Sequence, residues 1–297
     1  MGKALADAEF EARAVFEAVD DALGEKLSKI IWEGPIETLT LTENAQPALM
    51  AVSLAALRVL EARGVSVQRH AAYVAGHSLG EYSALAAAGA LSVHDAARLL
   101  RVRGRAMQAA VPVGTGAMAA LLGMDLDGAR QVVAEAAEGE VCATANDNGG
   151  GQVVISGSKA AIERAIAIAQ QKGAKRAILL PVSAPFHCAL MAPAARVMEE
   201  ALAAVAIKAP IVPLVANVLA APIHDPAEIR RRLVEQVTGM VRWRESVAWL
   251  GAAGVKLFVE IGAGKVLSGL ARRIVDGAET MAVGAPADID AVVAKLG

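Results

Sequence analysis

The chain has 297 residues, 55% of them hydrophobic but only 3% aromatic, so Ala, Leu and Val must fill a core large enough for one domain with an insertion or for two domains. A formal charge of -2 gives no basis for nucleic acid as a partner, and the apolar stretches are broken before the roughly 20 residues of a membrane span. No signal pattern opens the chain, which predicts a cytoplasmic location, and Cys142 and Cys188, without a C-x-x-C partner, predict plain thiols.

Residues 3–31 read as an amphipathic helix. Thr42 is placed to cap a second helix, with Pro47 near its start, that runs to Gly64. The apolar run Ala71-Ala72-Tyr73-Val74-Ala75 predicts a strand, and residues 81–88 predict a helix. Between them stands Gly76-His77-Ser78-Leu79-Gly80, a G-x-S-x-G sequence in the strand-to-helix setting of a nucleophile elbow. Gly76 and Gly80 are expected to remove side chains that would collide in so tight a turn. Ser78 would then stand at a helix N-terminus, where free N–H groups favour the negative charge of acyl transfer. Ser92 is read as the cap of the next helix, which carries Arg98, Arg101, Arg103 and Arg105.

Shorter elements follow: strand 117–122, helix 126–137, strand 141–144, the turn-rich stretch 146–151, strand 152–156, a helix capped by Ser158, and strand 175–180. Their order, β-α-β-β-α-β, is that of a ferredoxin-like unit. The expected organisation is an inserted subdomain at 114–182 within a core formed by 1–113 and 183–297. In the core the pattern resumes with a helix from about Ala189, strand 212–215, helices 226–236 and 244–253, and strand 256–261. This alternation predicts an α/β fold with a largely parallel sheet.

A serine nucleophile needs a base, and the chain has five histidines. His77 lies inside the elbow, pointing away from Ser78, while His70, His94 and His224 fall in polar or turn-like segments expected to face solvent. His187, in Ser183-Ala184-Pro185-Phe186-His187-Cys188, lies where the chain re-enters the main sheet, and such points border clefts. Gly262-Ala263-Gly264-Lys265 lacks the spacing of a phosphate loop and reads as a tight strand-to-helix turn. The clusters Arg230-Arg231-Arg232 and Arg272-Arg273 read as solvated helix faces, with an acidic protein partner as the alternative.

The segments Thr42-Glu43-Asn44-Ala45-Gln46-Pro47-Ala48, Gly76-His77-Ser78-Leu79-Gly80-Glu81-Tyr82, Arg101-Val102-Arg103-Gly104, Val113-Gly114-Thr115-Gly116-Ala117-Met118, Ser183-Ala184-Pro185-Phe186-His187 and Glu260-Ile261-Gly262-Ala263-Gly264-Lys265 together resemble the malonyl-CoA:acyl carrier protein transacylases. They are similar, too, to acyltransferase domains of polyketide synthases. The resemblance implies an α/β-hydrolase-like parallel-sheet core with an inserted ferredoxin-like subdomain. It implies no cofactor, a coenzyme A thioester as donor, acyl carrier protein as partner, and a monomer.

By the same resemblance Ser78 is the nucleophile and His187 the base, with a backbone carbonyl of Gln236 orienting the imidazole in place of a carboxylate. Leu79 would supply an oxyanion-hole N–H, and Arg103 would clamp the malonyl carboxylate in a bidentate fork. Phe186, Asn146 and Met118 would line the substrate pocket, with Phe186 as a wall against a 2-methyl branch. On the residues alone a serine hydrolase or thioesterase stays open, as do a transferase serving a polyketide synthase and a form that only binds carrier protein. That last alternative arises because family members open with an apolar strand and a Gly-Gln-Gly-Ser-Gln turn. Met1-Gly2-Lys3-Ala4-Leu5 resembles the segment after that turn, so one oxyanion donor and one strand are expected to be lacking.

Overall fold

In the computed structural model, which describes all 297 residues, the stretch read as one helix is three: α1 (Lys3–Ala8), α2 (Phe10–Leu23) and α3 (Leu27–Glu33). Glu9 is extended, with φ -127°, and Gly24 takes the left-handed conformation, with φ 66°, that ends α2. After α4 (Ile36–Thr40) comes α5 (Thr42–Ala62). Thr42 is the first residue of α5 and not its cap; its Oγ1 accepts the Gln46 Nε2–H at 2.8 Å. By length and composition α5 is the one helix that could cross a bilayer, yet 67% of that window is buried. It packs against α2 and against α8 (Val93–Ala109) in a core of 48 buried residues.

Between α5 and α8 lie α6 (Val67–His70), β1 (Val74–Ala75) and α7 (Gly80–Ala87). Ser92 caps α8 as expected, its Oγ accepting the Asp95 N–H at 3.0 Å.

β2 (Gly116–Leu122), α9 (Leu126–Ala137), β3 (Cys142–Gly149), β4 (Gln152–Ser158), α10 (Lys159–Gln171) and β5 (Arg176–Leu179) follow. Their sheet has the order β3-β4-β2-β5, with antiparallel neighbours throughout, and a separate core of 13 buried residues. This is the split β-α-β arrangement of a ferredoxin-like unit. Residues 146–149, read as turn, belong to β3: register shifts at Thr144/Asn146 and Asp147/Gly149 keep the strand paired, and the turn narrows to Gly150 and Gly151. Ser158 ends β4 and makes no side-chain cap.

The rest of the core comprises a 3₁₀ turn at Ala189–Met191, α11 (Ala192–Ala203), β6 (Leu214–Ala216), β7 (Ala221–Ile223), α12 (Pro226–Gln236), α13 (Trp243–Ala252), β8 (Leu257–Ile261), α14 (Val266–Ile274), β9 (Glu279–Val283) and α15 (Pro286–Leu296). The core strands form two sheets, β1-β6-β7 and β8-β9. β1 pairs with β6, and β8 with β9, in parallel; β7 returns antiparallel. The architecture is an α/β-hydrolase-like core carrying a ferredoxin-like unit.

Candidate active site

The elbow is built by steric exclusion. A Cβ on Gly76 would lie 2.0 Å from the backbone C and O of Gly80, so no other residue fits there. Gly80 itself faces open space, so the collision expected at that position does not exist. Ser78 is held at φ 53°, in the left-handed region, by turn hydrogen bonds from Gly80 N to His77 O (2.9 Å) and from Glu81 N to Ser78 O (3.1 Å). Its own N–H goes to Asn217 Oδ1 at 2.7 Å. The Leu79 N–H takes no part in closing the turn.

His187 also sits in the left-handed region, with φ 59°, and its Nε2 lies 2.8 Å from Ser78 Oγ. Its Nδ1 faces the carbonyl oxygens of Gln236 (2.9 Å) and Gly239 (3.1 Å). Carbonyls only accept, so Nδ1 carries the proton and Nε2 offers its lone pair to the Ser78 hydroxyl. The Gln236 carbonyl is available because it ends α12, where the last carbonyls lack intrahelical partners. Burial, reinforced by the Arg103 charge, lowers the His187 pKa to about 3, against a smaller upward pull from the Gln236 carbonyl. The imidazole is therefore neutral at pH 7.

Arg103, on α8, is 1% exposed. Its Nη1 donates to Gln46 Oε1 (2.7 Å), and its Nη2 to Gln236 Oε1 (2.8 Å) and Ser78 Oγ (3.1 Å), while Nε has no partner. The Thr42–Gln46 bond aims Gln46 at the guanidinium. α8 approaches α5 closely enough for this because residue 104 is glycine: a Cβ there would lie 2.4 Å from Glu43 Cα.

Three polar side chains complete the scaffold: that of Gln236, which the resemblance marked only for its backbone carbonyl, and those of Glu81 and Asn217, which the sequence did not mark. Gln236 Nε2 donates to Ser78 O at 2.9 Å and to the Glu81 carboxylate. Glu81, 1% exposed, also accepts the Asn217 N–H at 2.6 Å, and burial lifts its pKa to about 8 against those hydrogen bonds and Arg103. Asn217 Nδ2 closes the loop on Gly76 O at 2.8 Å. The nucleophile is thus tied to β6 and α12 as well as to its own turn.

Direct contacts join Ser78, His187, Arg103 and Gln236. Phe186 precedes the histidine and packs against the cluster that contains Met118, Ala120, Ala145 and Val154. Asn146, on β3, bridges to Val241, and its Oδ1 is buried without a hydrogen bond. His77 Nε2 meets Asn148 Oδ1 at 2.9 Å, with its ring 5.5 Å from that of Trp243, which is a structural contact. His94 and His224 are exposed, but His70 is half-buried and bonds to Ser66. Glu260 accepts the Leu267 and Ser268 N–H groups, so the turn at Gly262–Lys265 has its helix N-terminus filled by a carboxylate. Arg230 is tied to the Leu202 and Val205 carbonyls, and Arg231 and Arg232 pair with Glu228 on their own helix. Both cysteines are free thiols.

A serine on a nucleophile elbow, a neutral histidine held by carbonyls and a buried guanidinium beside the hydroxyl define a serine acyl-transfer site. The model of the acyl transferase domain matches residues 1–287, and the chain belongs to that family. It is 46% identical over 297 residues to the malonyl CoA-acyl carrier protein transacylase of Bacillus subtilis, covering 100% of this chain and 92% of that protein. The crystal structure of acyl-carrier-protein-S-malonyltransferase from Bartonella henselae superposes with a TM-score of 0.98 at 58% identity, covering 100% of this chain and 95% of that one. A malonyl-transacylase solved in complex with a type II PKS acyl-carrier protein gives a TM-score of 0.96 at 40% identity, covering 99% of this chain and 94% of that one.

Proposed function

We propose that this chain transfers the malonyl group from malonyl-CoA to the phosphopantetheine thiol of acyl carrier protein for fatty acid synthesis, through an acyl-serine intermediate. The observation that carries the reading is the continuous chain from Gln236 O through His187 to Ser78 Oγ, with the Arg103 guanidinium on the same hydroxyl.

In the first half-reaction Ser78 Oγ gives its proton to His187 Nε2 and attacks the thioester carbonyl. The resulting oxyanion lies toward the Leu79 N–H and the positive end of α7. Collapse breaks the C–S bond, and the imidazolium protonates the departing thiolate, releasing coenzyme A. In the second half the carrier thiol gives its proton to His187, attacks the malonyl-serine and regenerates the hydroxyl, so donor and acceptor react in turn. Arg103 holds the malonyl carboxylate in exchange for its contact with Ser78 Oγ, and its unpartnered Nε–H supports that reading. Phe186, Met118 and Asn146 line the acyl pocket. The division into a core of 1–113 and 183–297 and a subdomain of 114–182 belongs to the same reading, supported by the subdomain's own sheet and core, and the protein acts in the cytoplasm.

Incubation with malonyl-CoA alone, followed by intact-mass analysis and peptide mapping, tests the first half. One malonyl group on Ser78 with matching release of coenzyme A is expected. Continuous release of free malonate without an accumulated acyl-enzyme would replace the transferase with a hydrolase.

A further inference from the structure

β1 and β6 run parallel with Val74 opposite Leu214 and Ala75 opposite Val215, and the Val74 N–H donates to Pro213 O at 3.0 Å. Extended by two residues, that register places His77 opposite Asn217 and calls for two more ladder bonds, from the Asn217 N–H to Gly76 O and from the Ser78 N–H to the Asn217 carbonyl. Where the chain turns off into the elbow, neither backbone bond forms. The side chain of Asn217 makes both in their place: Nδ2 donates to Gly76 O at 2.8 Å, and Oδ1 accepts the Ser78 N–H at 2.7 Å. The backbone groups so released find other partners, the N–H in Glu81 Oε1 at 2.6 Å and the carbonyl in the Arg242 N–H at 3.0 Å.

We infer that Asn217 is a positioning residue for the nucleophile: its side-chain amide stands in for one peptide group of the β1-β6 ladder, and that substitute rung holds Ser78 in the conformation that presents Oγ to His187. Ser78 keeps φ 53°, a value that a residue other than glycine holds only when its surroundings enforce it. Asn217 grips the backbone on both sides of His77, and being wholly buried it meets no competing water. The role calls for a donor and an acceptor set as in a peptide group on a one-carbon arm. An ionised Asp lacks the donor, Gln adds a methylene, and Leu keeps the shape without either group. Asn217 also engages the Ser78 N–H, so the elbow donor left for the oxyanion is the Leu79 N–H.

The inference rests on Ser78 as the nucleophile, so the test reads Ser78 without malonyl transfer: the full chain is labelled with a fluorophosphonate, which reacts with an activated serine whatever acyl group the enzyme carries. Asn217→Leu leaves the Ser78 N–H and Gly76 O unpaired and should slow labelling at least about tenfold. Asn217→Asp gives a readout within one folded protein. Ionised, it sets an oxygen against Gly76 O; protonated, it regains a donor beside its acceptor. Its labelling rate should therefore rise as pH falls from 7 to 5, a range in which the parent, with His187 neutral, stays flat and Asn217→Leu stays low. Circular dichroism across the same range confirms the fold. Labelling of Asn217→Leu at the parent rate, or an Asn217→Asp profile as flat and as low as that of Asn217→Leu, would overturn the inference. A parent chain that takes no label would instead remove Ser78 as the nucleophile, and the inference with it.

Discussion

Arg103→Ala separates recognition of substrate from support of the nucleophile. The guanidinium is buried, and each of two parallel charge-assisted hydrogen bonds to a carboxylate contributes about 1.5–3 kcal/mol. Removing the fork should therefore cost malonyl transfer about 3–5 kcal/mol, or roughly 10²–10⁴-fold in kcat/KM. The same side chain also bonds Gln46, Gln236 and Ser78, so part of the loss is scaffold damage that every substrate feels. Acetyl-CoA, which has no carboxylate, measures that common part. With both donors assayed on one preparation, the malonyl-to-acetyl ratio of kcat/KM should fall by about two orders of magnitude or more, and Arg103→Lys, a point charge without the fork, should recover only part of it. An equal fall for the two donors would refute the clamp and reduce Arg103 to a support for Ser78 and Gln236.

Because the His187 pKa is lowered to about 3, the rate of acylation of the free enzyme should show no acid limb near pH 6.5, and stopped-flow release of coenzyme A across pH 5–8 checks this. The Arg103 charge helps to depress that pKa, so a bound malonyl carboxylate should move the limb in kcat upward relative to acetyl. With burial lifting the Glu81 pKa from 4.5 to about 8, the folded chain keeps a proton that the unfolded chain has released, and stability falls as pH rises through that window, by up to about 5 kcal/mol. Denaturant titrations at intervals from pH 5 to 8 should show a flatter slope for Glu81→Gln, and an unchanged slope would remove Glu81 as its source. Gly76→Ala places a Cβ 2.0 Å from the Gly80 backbone, so it should abolish acylation and lower Tm by several degrees; a variant retaining normal turnover would contradict the elbow geometry.

What the sequence made legible was local. The elbow could be read because a strand, a five-residue turn and a helix are contiguous, and the subdomain because its six elements follow one another in chain order. His187 stood out among five histidines by its place where the chain re-enters the core, whereas Arg103 stood among other arginines of its helix and only the resemblance to a family singled it out. Nothing local marked the scaffold: Asn217 and Gln236 reach Ser78 across 139 and 158 residues, and Glu81 reads on α7 as an ordinary first-turn acid. Thr42 illustrates the limit on caps, since its hydroxyl turns to Gln46 where a cap would bond the backbone. The Asn- and Gly-rich run at 146–151 suggested a turn, but pairing with β4 and with Val241 overrides that preference through Gly149.

The central claim is tested most directly by following labelled malonyl from malonyl-CoA onto holo acyl carrier protein with this chain and with Ser78→Ala. The account predicts carrier labelling that depends on the chain and vanishes in Ser78→Ala. Labelling that survives the substitution, or label recovered only as free malonate, would contradict it.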